Sequence, residues 1–295
     1  MNKYKRSLIM IWIFLIFMLS LFFVITEPTF VKHKIDKNIL SKTQEDSTKN
    51  IENYVRYLSK NDIISTKWKA ETFKYIIKQL KNNWTNEKNI TIQSFDAYWE
   101  TYKNIIVKYW NNENKNWIYI VWAHYDTDDT PWADDNASSV AWLLEINKIL
   151  NKIKSNKNIE LVFYTNEEMP FYDTNEMWSY VHAKSVKDKN IKLVIIMEMI
   201  WYFSEEKNSQ EYPIKFLEWF YPTKWNYIAI VSNMSCIMET RKIKSLFKSY
   251  IDTKKIIDTY SINWPNIINW IDFSDHRNYW KFNIPAIMIT DTSFY

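Results

Sequence analysis

Ile118-Tyr119-Ile120-Val121-Trp122-Ala123-His124-Tyr125-Asp126 decides how the chain folds. Ile118 to Ala123 is a short apolar run of the kind that makes a buried strand, and a histidine and an aspartate follow it at once. Four more runs repeat the pattern: Ile159–Thr165, Leu193–Met197, Tyr227–Val231 and Pro285–Ile289. Helical periodicity lies between them. In Lys69–Asn83 the apolar positions Phe73, Ile76, Ile77 and Leu80 share one face, and Ala137–Leu150, Trp178–Val186 and Thr240–Tyr250 are helical as well. Strands alternating with helices predict an α/β three-layer sandwich around a mixed, largely parallel sheet. In such sheets, sites form where strands end and loops begin.

Five groups of ligand-type residues stand at those ends. They are His124 with Asp126, Asp134-Asp135-Asn136, Glu167-Glu168, Glu198, and Ser274-Asp275-His276. Each alone has a plainer explanation. His124 could be an ordinary hydrogen-bonded histidine. Asp134 or Asp135 could cap the helix from Ala137. Glu167-Glu168 could be a solvated loop, and Asp126 a turn residue. Glu198 is harder to explain away, because an unpaired carboxylate after an apolar run is costly. Five such groups, all at strand ends, point to metal chemistry. Nitrogen and oxygen donors without cysteine suit catalytic zinc, and two ions can share one carboxylate.

The same residues carry a resemblance. Val121-Trp122-Ala123-His124-Tyr125-Asp126-Thr127 and Pro131-Trp132-Ala133-Asp134-Asp135-Asn136-Ala137-Ser138-Ser139-Val140-Ala141 resemble the co-catalytic zinc aminopeptidases of metallopeptidase family twenty-eight. That family typically reads G-A-H-Y-D-S and P-G-A-D-D-N-A-S-G-V-A. Asn166-Glu167-Glu168, Glu198 to Phe203, Ser274 to Tyr279 and Ile284 to Thr292 extend the likeness, which runs from about residue 50 to the end. The resemblance implies a zinc-exopeptidase (phosphorylase/hydrolase-like) fold and two Zn2+ ions. His124, Asp135 and Glu198 would hold the first ion, and Asp135, Glu168 and His276 the second. Glu167 would be the general base and Asp126 would orient the His124 ring. Asp275 stands where some members carry an oxyanion-stabilising tyrosine. Relatives usually continue beyond Ser293-Phe294-Tyr295, so a truncated C-terminus is expected. A glutaminyl-cyclase-like transferase shares the fold, but those relatives bind one zinc and lack the Asp-Asp-Asn arrangement. A receptor-like domain that has lost its metals usually lacks several ligands, and here all five are present.

At the N-terminus, Lys3, Lys5 and Arg6 precede the uncharged, almost wholly apolar Ser7–Thr26. Twenty such residues match a bilayer-spanning helix. With no small-x-small cleavage site after it, the segment reads as an uncleaved anchor. The basic residues before the span place residues 1–6 in the cytoplasm and the body on the outer side. Residues 7–26 are then the anchor, 27–49 a polar linker and 50–295 the peptidase domain acting on peptide substrates. The 38 basic and 34 acidic residues are spread along the chain without a basic stripe, so no nucleic-acid partner is expected. Cys236 is the one cysteine; it excludes an intrachain disulfide framework and a thiolate cluster, and it reads as a buried apolar residue.

Glycine is absent and tryptophan occurs 16 times. At an average usage of about 7%, roughly 20 glycines would be expected. Against the family pattern, Trp122, Trp132, Trp142, Trp178, Trp201 and Trp280 fall at glycine positions. Trp84 ends a helix, Trp99, Trp110 and Trp117 stand in apparent turns, and Trp264 precedes Pro265. A source that decodes UGA as glycine, translated here as tryptophan, accounts for this distribution. It predicts positive φ or crowding at many of these positions. Trp12, in the apolar span, reads as a true tryptophan.

Overall fold

The computed structural model describes residues 3–26, 37–60, 66–97, 100–110, 117–127, 133–153, 155–212, 215–219, 221–251, 258–264 and 274–291. Helix α1 (Lys3–Thr26) is long and apolar enough to cross a membrane. Helices α2 (Lys37–Leu58) and α3 (Thr66–Asn82) follow, and then the strands β1 (Ile90–Ala97), β2 (Glu100–Tyr109) and β3 (Ile118–His124). Next come α4 (Ser139–Lys152), β4 (Asn158–Tyr164), α5 (Trp178–Val186) and β5 (Ile191–Met197). The chain ends in β6 (Tyr227–Asn233), α6 (Ile237–Ile251), β7 (Asp258–Trp264), α7 (His276–Trp280) and β8 (Ala286–Thr290).

The eight strands form one sheet in the order β1-β2-β4-β3-β5-β8-β6-β7. Its centre, β4-β3-β5-β8, is parallel, while β1, β2 and β4 pair antiparallel, as do β8 and β6. Parallel central strands are buried on both faces, which is why they read as continuous apolar runs. Alternate residues go to opposite sides. Leu161, Phe163, Ala123 and Met197 face the layer containing α2, α3 and α4, and Leu193, Ile230 and Ile287 pack with Cys236 beside α6. Ile120, Trp122, Val162, Tyr164, Val194 and Ile196 face α5 and α7. The parallel register aligns His124 with Tyr164, Trp122 with Ile196, and Met197 with Ile289. The C-terminal ends of β3, β4, β5 and β8 therefore lie side by side.

Three readings change. Residues 37–49, read as linker, belong to α2, whose Ile51, Tyr54, Val55 and Leu58 form the buried stripe. The polar run before Ile51 continues a helix that this stripe docks, and Ser47 Oγ and Asn50 Nδ2 reach Glu145 at 2.7 and 3.2 Å. Strands β1, β2 and β7 were not among the apolar runs. The left-handed conformation expected at many tryptophans occurs, among the described residues, at Trp84 alone, with φ 59°. Trp84 N–H bonds Lys81 O at 3.0 Å and Thr85 N–H bonds Leu80 O at 3.0 Å. This is the paired closure in which the left-handed position after a helix favours glycine. Trp122, Trp142, Trp178 and Trp280 stand in strands or helices, where any glycine would leave φ unchanged. Of these, Trp122 and Trp178 are fully buried, and neither ring nitrogen has a hydrogen-bond partner. Trp132 and Trp99 lie outside the described residues.

Candidate metal centre

His124 is the last residue of β3 and is fully buried. Its Nδ1 lies 3.1 Å from the main-chain oxygen of Asp126. A carbonyl only accepts, so Nδ1 carries the proton there. Its Nε2 faces Glu198 Oε1 at 3.0 Å and Asp135 Oδ1 at 3.2 Å. His124, Asp135 and Glu198 present ligand atoms all within 4.8 Å of one another, and so do His124, Glu167 and Glu168. His276, the fifth residue predicted as a ligand, is buried at the start of α7 with its ring 4.6 Å from that of Trp280. It belongs to neither group.

Asp126 meets the His124 ring twice: its carboxylate Oδ1 stands 3.6 Å from Nδ1, and its main-chain oxygen accepts from the same nitrogen. Carboxylate Oδ2 accepts from Glu167 N at 3.0 Å and Glu168 N at 3.3 Å. One aspartate thus ties the end of β3 to the turn after β4. In that turn Asn166 has φ 61°, a conformation asparagine tolerates better than most residues. Neither Asp134 nor Asp135 caps α4. The residue before α4 is Ser138, without a side-chain cap bond, and Asp134 Oδ1 accepts from Trp201 N at 2.9 Å.

Burial dominates the electrostatics. It pushes the Glu168 and Asp275 carboxyls each up to about 8. It also raises Glu198, and it raises Glu167 well above the usual carboxylate range, where neighbouring carboxylates outweigh part of the relief from His124. For His124 burial opposes charge, yet the Glu198 carboxylate, with Asp126 and Asp135, holds the imidazolium well above its usual range. Clustered buried acids of this kind are relieved by a cation. The donors are imidazole nitrogen and carboxylate oxygen with no thiolate, which fits zinc.

Sequence reasoning assigned no role to Ser274, Asp291 or His182. Ser274 Oγ donates to Glu198 Oε2 at 3.0 Å. Asp291 Oδ2 accepts from Tyr202 N at 2.7 Å. His182 Nδ1 lies 2.8 Å from Tyr279 OH, which meets Tyr164 OH at 2.6 Å, and burial lowers the His182 pKa to about 3. Ser274 thus touches a predicted ligand, and its place beside Asp275-His276 was the available clue.

Residues 104–295 match the model of Peptidase family M28. The chain is 36% identical over 298 residues to the uncharacterized protein YfbL of Escherichia coli (strain K12), covering 95% of this chain and 88% of that protein. Among solved structures, it resembles the LapA aminopeptidase of Legionella pneumophila with TM-score 0.60 and 15% identity, over 91% of this chain and 68% of that one. It resembles the glutaminyl cyclase of Bacteroides thetaiotaomicron with TM-score 0.55 and 18% identity, over 82% and 83% of the two chains. At such identities these two likenesses speak to the fold.

Proposed function

The chain belongs to Peptidase family M28, and from the residues gathered at its strand ends we propose that it is an aminopeptidase working with two zinc ions. The carrying observation is the convergence of His124, Asp135 and Glu198 beside Glu167 and Glu168. His124, Asp135 and Glu198 would hold one ion, and Asp135, Glu168 and His276 the other, with Asp135 shared. When bound, the ions polarise the peptide carbonyl and stabilise the charge that develops on its oxygen. The protein's own groups handle the protons and the geometry. Asp126 O fixes the His124 ring with Nε2 toward the ions, and the Asp126 carboxylate fixes the main chain of Glu167. Glu167 takes a proton from the attacking water as the C–O bond forms. It then gives that proton to the leaving amine nitrogen as the C–N bond breaks.

A second reading, a glutaminyl-cyclase-like transferase, draws on the structural likeness to such an enzyme. The Asp134-Asp135-Asn136 segment, with Asp135 against His124, favours the peptidase. Zinc analysis together with a substrate panel separates them. Two zinc per chain and release of N-terminal residues from peptides is the expected result. One zinc, with cyclisation of N-terminal glutamine and no peptide cleavage, would establish the transferase.

Helix α1 would anchor the domain outside the cytoplasm, with Lys3, Lys5 and Arg6 inside. The full chain is expected to stay with membranes through a high-salt wash, while a chain starting near Lys32 partitions as soluble. A released product with a new N-terminus near residue 27 would show a cleaved leader instead.

A further inference from the structure

The loop after β5 is held in an unusual way. Four consecutive main-chain N–H groups, at Met199, Ile200, Trp201 and Tyr202, each donate to a side chain. Their acceptors are Asn136 Oδ1 at 3.2 Å, Ser138 Oγ at 3.2 Å, Asp134 Oδ1 at 2.9 Å and Asp291 Oδ2 at 2.7 Å. Asn136 also donates through Nδ2 to Met197 O at 3.0 Å, so its amide bridges the main chain on both sides of Glu198. Ser138 Oγ donates back to Asp134 O at 2.7 Å. Met199, directly after Glu198, has φ 43°, and its oxygen accepts from Asp291 N at 2.7 Å.

Three of the four acceptors, at 134, 136 and 138, surround Asp135. The backbone at Asp135 is non-helical, with φ −95° and ψ 101°. Asp134 and Asn136 reach the 199–202 main chain, while Asp135 between them faces His124 Nε2 at 3.2 Å. We infer that Asp134, Asn136 and Ser138 are positioning residues that latch the Glu198 loop to the Asp135 segment, so that the two carboxylates of the first zinc site form one rigid unit. The latch touches no substrate and supplies no ligand. It sets the distance between two ligands on separate elements, which buried hydrogen bonds to main chain do well because leaving them unmade is costly.

This inference rests on the zinc reading, and the test keeps the two apart. Zinc affinity of the full chain is measured by competition with a chromophoric chelator, alongside the melting temperature of each metal-free form. Asn136→Leu keeps the side-chain size and removes both bonds around Glu198. It is expected to weaken zinc binding by about 10–100-fold, the usual cost of losing a group that orients a ligand. Ser138→Ala should weaken binding as well, and Ser138→Thr, which keeps the hydroxyl, should restore it. Asn147→Ala is the control. Asn147 is a buried amide that bonds Thr85 and Tyr109 within the same domain and touches no ligand. It should lower the melting temperature without shifting zinc affinity. If Asn136→Leu binds zinc like the parent, or shifts affinity no more than Asn147→Ala does, the latch is overturned while the metal site stands. If Asn136→Leu fails to fold, the Ser138 pair decides by the same criterion. A parent chain that takes up no zinc overturns both the metal reading and the latch.

Discussion

Glu167→Gln is expected to keep its zinc and lose about 10²–10⁴-fold in turnover, the range that a positioned general base contributes. The geometry makes this a sharp question. Glu167 stands within ligand distance of His124 and Glu168, so position alone would allow it to bind metal. Two features favour the proton role. The triad of His124, Asp135 and Glu198 is complete without it. Its main chain is also pinned by the Asp126 carboxylate, which suits a group that must return to one place each cycle. Glutamine preserves the size and one carbonyl oxygen but cannot accept a proton, so a base is lost while packing survives. Zinc content separates the roles. A variant that is inactive and zinc-replete fits the base, whereas one that loses half its zinc identifies a ligand. Unchanged turnover would place the base elsewhere.

The second large effect concerns residue 84. A peptide covering it, taken from the protein made in its own source, is expected to carry glycine and to be lighter by one indolylmethyl group. In a chain made with the standard code, Trp84→Gly is expected to stabilise the fold by about 1–2 kcal/mol, the cost of left-handed backbone for a residue with a Cβ. Trp84 is 78% exposed, so its removal leaves no cavity to offset that gain. Loss of stability would show a tryptophan the fold needs. Trp122 and Trp178 add a different argument. An indole N–H buried without a partner costs about 1–3 kcal/mol, which removal of the side chain would recover. Urea unfolding of the single variants measures each. A loss of about 3–5 kcal/mol at 122 would mark a true core residue, since that is the cost of emptying a site that large.

The centre of the sheet was legible because buried parallel strands are apolar throughout, and the ligand-type residues follow them directly. Its flank was not. In β1 the exposed and half-buried positions of Ile90-Thr91-Ile92-Gln93-Ser94-Phe95-Asp96 leave only Ala97 fully buried, so no apolar run marks an edge strand. Helix α2 was hidden because its first turns carry no apolar stripe. Within the site, residue identities could be read but not their partners. Asn136 was visible as part of Asp134-Asp135-Asn136, yet its work is done on the main chain of Met197 and Met199, and main-chain groups look alike in any sequence. Asp126 was read as a partner for a ring, and its carboxylate also serves two backbone amides after β4, which the sequence did not reveal. His276 was grouped with Glu168 by pattern, and nothing in the sequence announced that it would open α7 with its ring against that of Trp280.

Asp126 also constrains how this chain can change over generations. Its main-chain oxygen steadies His124 and its carboxylate steadies Glu167 and Glu168. Any residue can supply the first contact, because every residue has a carbonyl. The second needs a short side chain with an acceptor oxygen. Loss of the carboxylate at 126 therefore touches the histidine and the two glutamates together. The ends of β3 and β4 are coupled through this one side chain.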